Sequence, residues 1–130
     1  MTPATFKYHS SPQDGEIRLL RVEPGSENEP VRCSLSIGKL QRGGYEALSY
    51  CWGTKPANRH ILCDNQQFPV TENLLMALTR FRNTEQPRTL WIDAICINQT
   101  DLDEKSQQVA FMPSIYRKCT RVLVWLGEGD

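Results

Sequence analysis

LWIDAICINQTDLDEKSQQVAFMPSIYRKCTRVLVWLG, residues 90–127, reads as strand, polar loop, helix and strand. The opening LWIDAI (90–95) is an apolar run broken by one acid, Asp93, and the closing RVLVWLG (121–127) is a second apolar run stopped by glycine. Between them Asp101-x-x-Glu104 has the spacing of a capping box, with Asp where Ser or Thr is usual. A strand–helix–strand unit of this length predicts two parallel strands joined by a right-handed crossover. Ligands of open parallel sheets sit beyond the carboxyl ends of the strands. The loop Cys96-Ile97-Asn98-Gln99-Thr100 falls at that end. Val109, Met112, Tyr116 and Cys119 recur at helical steps and predict the buried stripe of the helix. Pro113 lies within that pattern and predicts a kink or break near Val109–Met112, because it has no N–H and its ring crowds the preceding turn.

Upstream, EIRLLRV (16–22) reads as a strand. VRCSLSIGKL (31–40) alternates, with Val31, Cys33, Leu35 and Ile37 on one face. Joined by a loop rich in Pro, Gly and Asn, the two predict an antiparallel hairpin. YEALSYCWG (45–53) puts Tyr45, Ala47, Ser49 and Cys51 on one face and Leu48, Tyr50 and Trp52 on the other, as expected of a strand covered on both sides. His60–Cys63, the turn-forming Asp64-Asn65-Gln66-Gln67 and Phe68–Val70 predict a second hairpin, whose Pro69 belongs on an edge strand. Thr71 and Glu72 open a helix as cap and first-turn acid, with Leu74, Leu78 and Phe81 as its apolar stripe. Residues 1–15 form an extended lead-in to a domain over 16–130. The fold class is α/β: a mostly parallel sheet flanked by helices, with amino-terminal β-hairpin additions.

The 130 residues match one domain, and 39% hydrophobic residues suffice for a core. Fifteen basic and fifteen acidic residues cancel, so no global field favours nucleic acid or an acidic membrane. No apolar run approaches the roughly 20 residues of a membrane span, and the amino terminus lacks a signal-peptide core. A cytoplasmic location is the expectation. The five cysteines form no CxxC pair, and neither histidine has ligand-like neighbours, so reduced thiols and no metal site are expected.

The two apolar blocks together resemble a known family. Tyr45–Gly53 resembles the first signature block of the fungal heterokaryon-incompatibility (HET) domain. Leu90–Asn98 with Gln99, then Glu104, Gln108-Val109, Met112, Ile115-Tyr116 and Val122–Gly127, resembles its second block. The likeness covers about residues 16–127 and departs from the family pattern at Pro113. A third block of the family would follow Asp130, so the chain resembles the amino-terminal portion of the domain and is incomplete at its C-terminus. The resemblance implies a role in non-self recognition and programmed cell death after incompatible hyphae fuse. It also implies a fold distantly similar to TIR-type (flavodoxin-like) signalling domains, some of which cleave NAD with a helix-borne glutamate. Three readings follow: a signalling module working through protein partners, by self-association or with an upstream sensor; an NAD-cleaving enzyme, with NAD as substrate and no other cofactor; or an inactive fragment.

Glu104 is the sharpest catalytic candidate, since a glutamate beyond a strand's carboxyl end could stabilise the oxocarbenium-like state formed as nicotinamide leaves. Equally, it could only complete the capping box. Asp93, an acid inside an apolar strand, could pair with an arginine, cap the loop or face a ligand. Asn98 and Gln99 could bind ligand hydroxyls and phosphates or fix the loop. Ser49, Tyr50 and Trp52 end a neighbouring strand, where the aromatics could stack on a flat ring or belong to the core. Cys96 lies in the same loop with no histidine near it in sequence.

Overall fold

The computed structural model describes residues 3–51 and 53–127. Strands β1 (Glu16–Val22) and β2 (Arg32–Lys39) form the expected antiparallel hairpin, with Glu16 opposite Lys39 and Val22 opposite Cys33. β3 (Glu46–Tyr50) follows, then β4 (Arg59–Cys63) and β5 (Gln66–Val70) as the second hairpin. Asp64 and Asn65 turn it with φ of 52° and 63°, the left-handed pair that a tight two-residue turn requires. α1 (Glu72–Phe81) starts where Thr71 Oγ1 accepts the N–H of Leu74 at 3.2 Å. β6 (Arg88–Trp91), α2 (Asp93–Cys96), α3 (Leu102–Lys118) and β7 (Val122–Trp125) complete the chain.

The seven strands form one sheet in the order β5-β4-β2-β1-β6-β3-β7. It is mixed rather than mostly parallel. Among the described residues β2–β4, β3–β6 and β3–β7 pair parallel, whereas β1–β2, β1–β6 and β4–β5 pair antiparallel. The crossover from β6 to β7 exists, but β3 lies between its two strands and pairs with both. The β1–β2 hairpin then joins this parallel trio through β1, which runs against β6.

The expected strand over 90–95 stops at Trp91. Asp93 is not inside a strand; it opens the single turn of α2, where Cys96 N–H donates to Ile92 O at 2.7 Å. An unbroken apolar run carries no period that separates a buried strand from a buried helical turn. α3 differs from expectation twice. It runs unbroken through Pro113, and its fully buried residues are Glu104, Gln108 and Ile115; of the expected stripe Met112, Tyr116 and Cys119 pack half-buried against the core, while Val109 is 48% exposed. Polar side chains take core positions through bonds to distant partners: Gln108 Nε2 donates to Glu16 O at 3.0 Å, while its Oε1 is buried without a partner, and Glu104 meets an arginine described below.

Directly paired residues share a sheet face. Trp91, Ala47 and Val122 therefore lie on one face, and the Tyr116 ring of α3 packs on Trp91 at 5.7 Å. Leu48, Leu123, Tyr50 and Trp125 lie on the other, where Phe81 of α1 meets Trp125 at 6.1 Å. The core between layers includes Leu20, Leu74, Leu78, Leu90, Ile92, Ile95 and Ile115, all buried. The lead-in is bound to the second hairpin: Gln67 N–H donates to Ala4 O and Phe6 N–H to Gln67 O, both at 2.8 Å.

An ion cluster ties the amino ends of the parallel trio. Arg88 grips Glu46 through two bonds of 2.6 and 3.1 Å, and Arg121 Nε approaches the same carboxylate at 3.0 Å. The bonds from Arg88, which outweigh the cost of burial, hold the Glu46 carboxyl below the ordinary glutamate range. A lowered folded value means that the stabilisation is present above the unfolded value of about 4.3 and is lost as pH falls through the folded one. Melting temperature is therefore expected to drop as pH falls below about 4.3, and Glu46→Gln to flatten that drop. Thermal melts of the two proteins across the acid range measure this. Because Pro113 leaves the Val109 carbonyl without its helical donor on an exposed part of α3, Pro113→Ala is expected to raise stability by about 1–3 kcal/mol in urea titrations.

Candidate functional site

The polar loop between α2 and α3 is built around a buried ion pair. Asp101 caps α3 as expected, its Oδ1 accepting the N–H of Glu104 at 3.1 Å. The reciprocal half of a capping box is missing, since the Asp101 N–H donates to Asn98 O at 3.2 Å instead. Glu104 turns inward. Its Oε2 accepts from Arg18 Nη1 at 2.5 Å and from the Asn98 N–H at 2.7 Å, and its Oε1 accepts from Arg18 Nη2 at 3.0 Å. Both side chains are 3% exposed.

Arg18 projects from β1 and spends its remaining donors on backbone. Nη1 also donates to Cys96 O at 3.1 Å and Nη2 to Ser10 O at 2.6 Å. The Tyr8 ring lies over the guanidinium at 4.5 Å, and the Tyr8 hydroxyl donates to Ile95 O at 2.6 Å. Burial first, then the Cys96 sulfur, pushes the Tyr8 phenol well above its ordinary value, so it stays a donor. A bidentate guanidinium–carboxylate pair, with both terminal nitrogens of Arg18 also bonded to backbone carbonyls, is the arrangement that offsets the desolvation of two buried charges.

The other candidates fall around this pair. The Asn98 side chain fixes its own loop, its Oδ1 accepting from Thr100 Oγ1 at 2.9 Å and from the Thr100 N–H at 3.3 Å. Gln99 Nε2 donates to Asp93 O at 2.8 Å. Asp93 stands close enough to two tyrosines to act on both: burial and then the Asp93 charge raise the phenols of Tyr50 and Tyr116. Half-buried Asp93 and Gln99 thus lie at the carboxyl ends of β3 and β6, where a parallel sheet presents ligand sites, with half-buried Tyr50 on the α1 face and Tyr116 against Trp91 on the other. Ser49 pairs in register with Val124 of β7, and β6 separates its strand from the one carrying Arg18. Trp52 lies outside the described residues. Cys96 is fully buried, and burial raises its thiol to about 12, leaving it inert as a nucleophile. Among the described residues no cluster of three or more His, Cys, Asp or Glu side chains could hold a metal ion.

The candidates therefore divide. Glu104 and Asn98 belong to the buried pair, whereas Asp93, Gln99 and Tyr50 form a polar edge that is still partly open. Arg18, Tyr8 and Tyr116 were not expected in either group. The signal for Arg18 was present, a cation inside the apolar IRLL, because such a residue demands a carboxylate. Nothing local names which carboxylate, and the partner lies 86 residues away.

A family model described as heterokaryon incompatibility protein (HET) matches residues 45–130. The match starts beside β3, so Arg18 lies outside it while Arg18's partner lies inside. The chain is also similar to heterokaryon incompatibility protein 6, OR allele, of Neurospora crassa, with 34% identity over 140 residues that cover 94% of this chain. That aligned region is 21% of the relative's length, so the chain spans about a fifth of the curated protein it matches. No solved structure matches it. With one family model covering both signature blocks and a relative aligned across both hairpins, the chain belongs to the heterokaryon incompatibility (HET) family.

Proposed function

We propose that this HET domain chain is a signalling module of fungal incompatibility, acting in the cytoplasm through protein contacts and leading to cell death. The observation that carries the reading is the fate of Glu104. Its carboxylate is buried, gripped by Arg18 and bonded to the Asn98 N–H, which gives it a positioning role in the fold. An NAD-cleaving mechanism needs that carboxylate against a ribose, and this geometry counts against it. A distant kinship with TIR-type domains belongs to the same proposal, supported by the parallel trio β6-β3-β7. No helix among the described residues is long and apolar enough to cross a membrane, and the zero formal net charge gives nucleic acid no general attraction.

The test replaces the matching segment of the Neurospora crassa relative with this chain and follows both hyphal viability and NAD after incompatible fusion. Glu104→Gln leaves the Arg18 charge unpaired in the core, so a loss of about 3–5 kcal/mol of stability is expected in the isolated chain. Incompatibility should fall with the amount of folded protein, and adding Pro113→Ala should partly restore both. NAD should not fall ahead of death. A fully folded Glu104→Gln protein that abolishes an early NAD loss would restore the enzyme reading.

A further inference from the structure

The β4–β5 hairpin meets the rest of the sheet along one short seam. Among the described residues β2 and β4 pair in register at Arg32–Leu62 and Cys33–Cys63 alone. Two backbone bonds of 2.9 Å flank the cysteines, from Leu62 N–H to Val31 O and from Asp64 N–H to Cys33 O. By contrast β1 and β2 pair along their whole length, from Glu16 with Lys39 to Val22 with Cys33.

Both thiols of the seam are enclosed. Cys33 is 6% exposed and Cys63 fully buried. As directly paired residues they share a sheet face. Paired strands stand about 4.8 Å apart, within the roughly 4.4–6.8 Å between Cα atoms that a disulfide spans. The Cys33 side chain leans across the seam, its Sγ donating to Leu62 O at 3.4 Å. A hydrogen bond to the Cys63 side chain, and then burial, pushes the Cys33 thiol far above its ordinary range. The two sulfurs are thus in contact, and both are free thiols. Cys96, also buried, is engaged within its own helical turn, its Sγ accepting the Ile92 N–H at 3.5 Å.

The chain between the two cysteines takes a long path. It leaves β2, supplies β3 between β6 and β7, and returns to lie beside β2 as β4. A bond between the sulfurs therefore closes a ring that contains the middle strand of the parallel trio. Closing such a ring restricts the unfolded chain, while the folded strands are already side by side.

We infer that Cys33 and Cys63 are a redox-sensitive pair, closed to a disulfide by hydrogen peroxide and reopened by a dithiol. One sulfur attacks the peroxide: an S–O bond forms, the O–O bond breaks, and a sulfenic acid and a water result. The second sulfur attacks the first, forming the S–S bond and expelling the sulfenic oxygen as a second water. The two thiols lose two electrons, their protons pass to the waters, and one peroxide becomes two waters. A buried, protonated thiol is a poor nucleophile, so the first step waits for the seam to part. In a reducing compartment disulfides of this transient kind serve redox sensing and not permanent structure. The pair is independent of the signalling reading above and gives the domain a covalent lock that oxidation sets.

Peroxide treatment of the Cys51→Ser chain tests it, since Cys51 is exposed and would otherwise link copies. Unreduced proteolytic peptides are mapped by mass spectrometry, and melting is followed before and after oxidation. The expected product is a monomer lighter by about 2 Da, with one cross-linked peptide joining Cys33 to Cys63. Its melting temperature should rise by about 5–15 °C, and dithiothreitol should reverse both changes. Cys33→Ser and Cys63→Ser in the same background should remove the cross-link and the rise together. The peptide map reads the unmutated pair directly, so the result does not depend on either variant folding. Thiols that stay reduced overturn the inference, as does a link from Cys63 to Cys96, or oxygen added to either sulfur without a link. An unchanged or lower melting temperature in the linked protein also overturns it.

Discussion

One guanidinium fixes the geometry of the polar half of this domain. Arg18 sits on a central strand, and its bonds reach the lead-in at Ser10, α2 at Cys96 and α3 at Glu104. Glu104 in turn holds the Asn98 N–H, so the loop that joins the two helices takes its shape from a charge in the core. Two ions buried this deeply are tolerated because both Glu104 oxygens and both terminal nitrogens of Arg18 are bonded. The path of the chain over 92–104 is the path that brings those groups to Arg18, and a surface loop with the same residues would have no reason to choose it.

The parts of the fold legible in the sequence are those decided locally. Both hairpins, the turn at Asp64-Asn65 and the Thr71 cap of α1 follow from alternation, left-handed turn residues and a hydroxyl at the right step. The HET signature, too, is a local pattern. What the sequence concealed depends on partners far along the chain. The buried face of α3 is set by Glu104 and Gln108 meeting β1, at separations of 86 and 92 residues, and a search for apolar stripes selects Val109 instead. The sheet's mixed character was hidden for the same reason, since it turns on β1 running against β6, a pairing such as Leu20 with Leu90 that no local pattern announces.

The candidate site was half legible. Glu104 completes no reciprocal capping box and instead holds an arginine, a partner that no residue near it in sequence announces. Asp93 is unusual inside a strand but not where it stands, since at the first position of a helical turn a carboxylate is favoured by the local dipole. Its neighbours Tyr50 and Tyr116 come from a strand and a helix on either side of it in sequence, and only folding assembles them.

The parallel trio therefore has two unlike ends. At the amino ends of β3, β6 and β7, Glu46, Arg88 and Arg121 satisfy one another, and the strands are locked in register. At the carboxyl ends the buried pair holds the backbone rigid while Asp93, Gln99, Tyr50 and Tyr116 remain half exposed. A charge network thus stands at both ends of the trio, with an apolar core between. The two ends differ in what they leave open: the amino-end charges satisfy one another, whereas the carboxyl end keeps a half-exposed polar rim around Asp93 and Gln99.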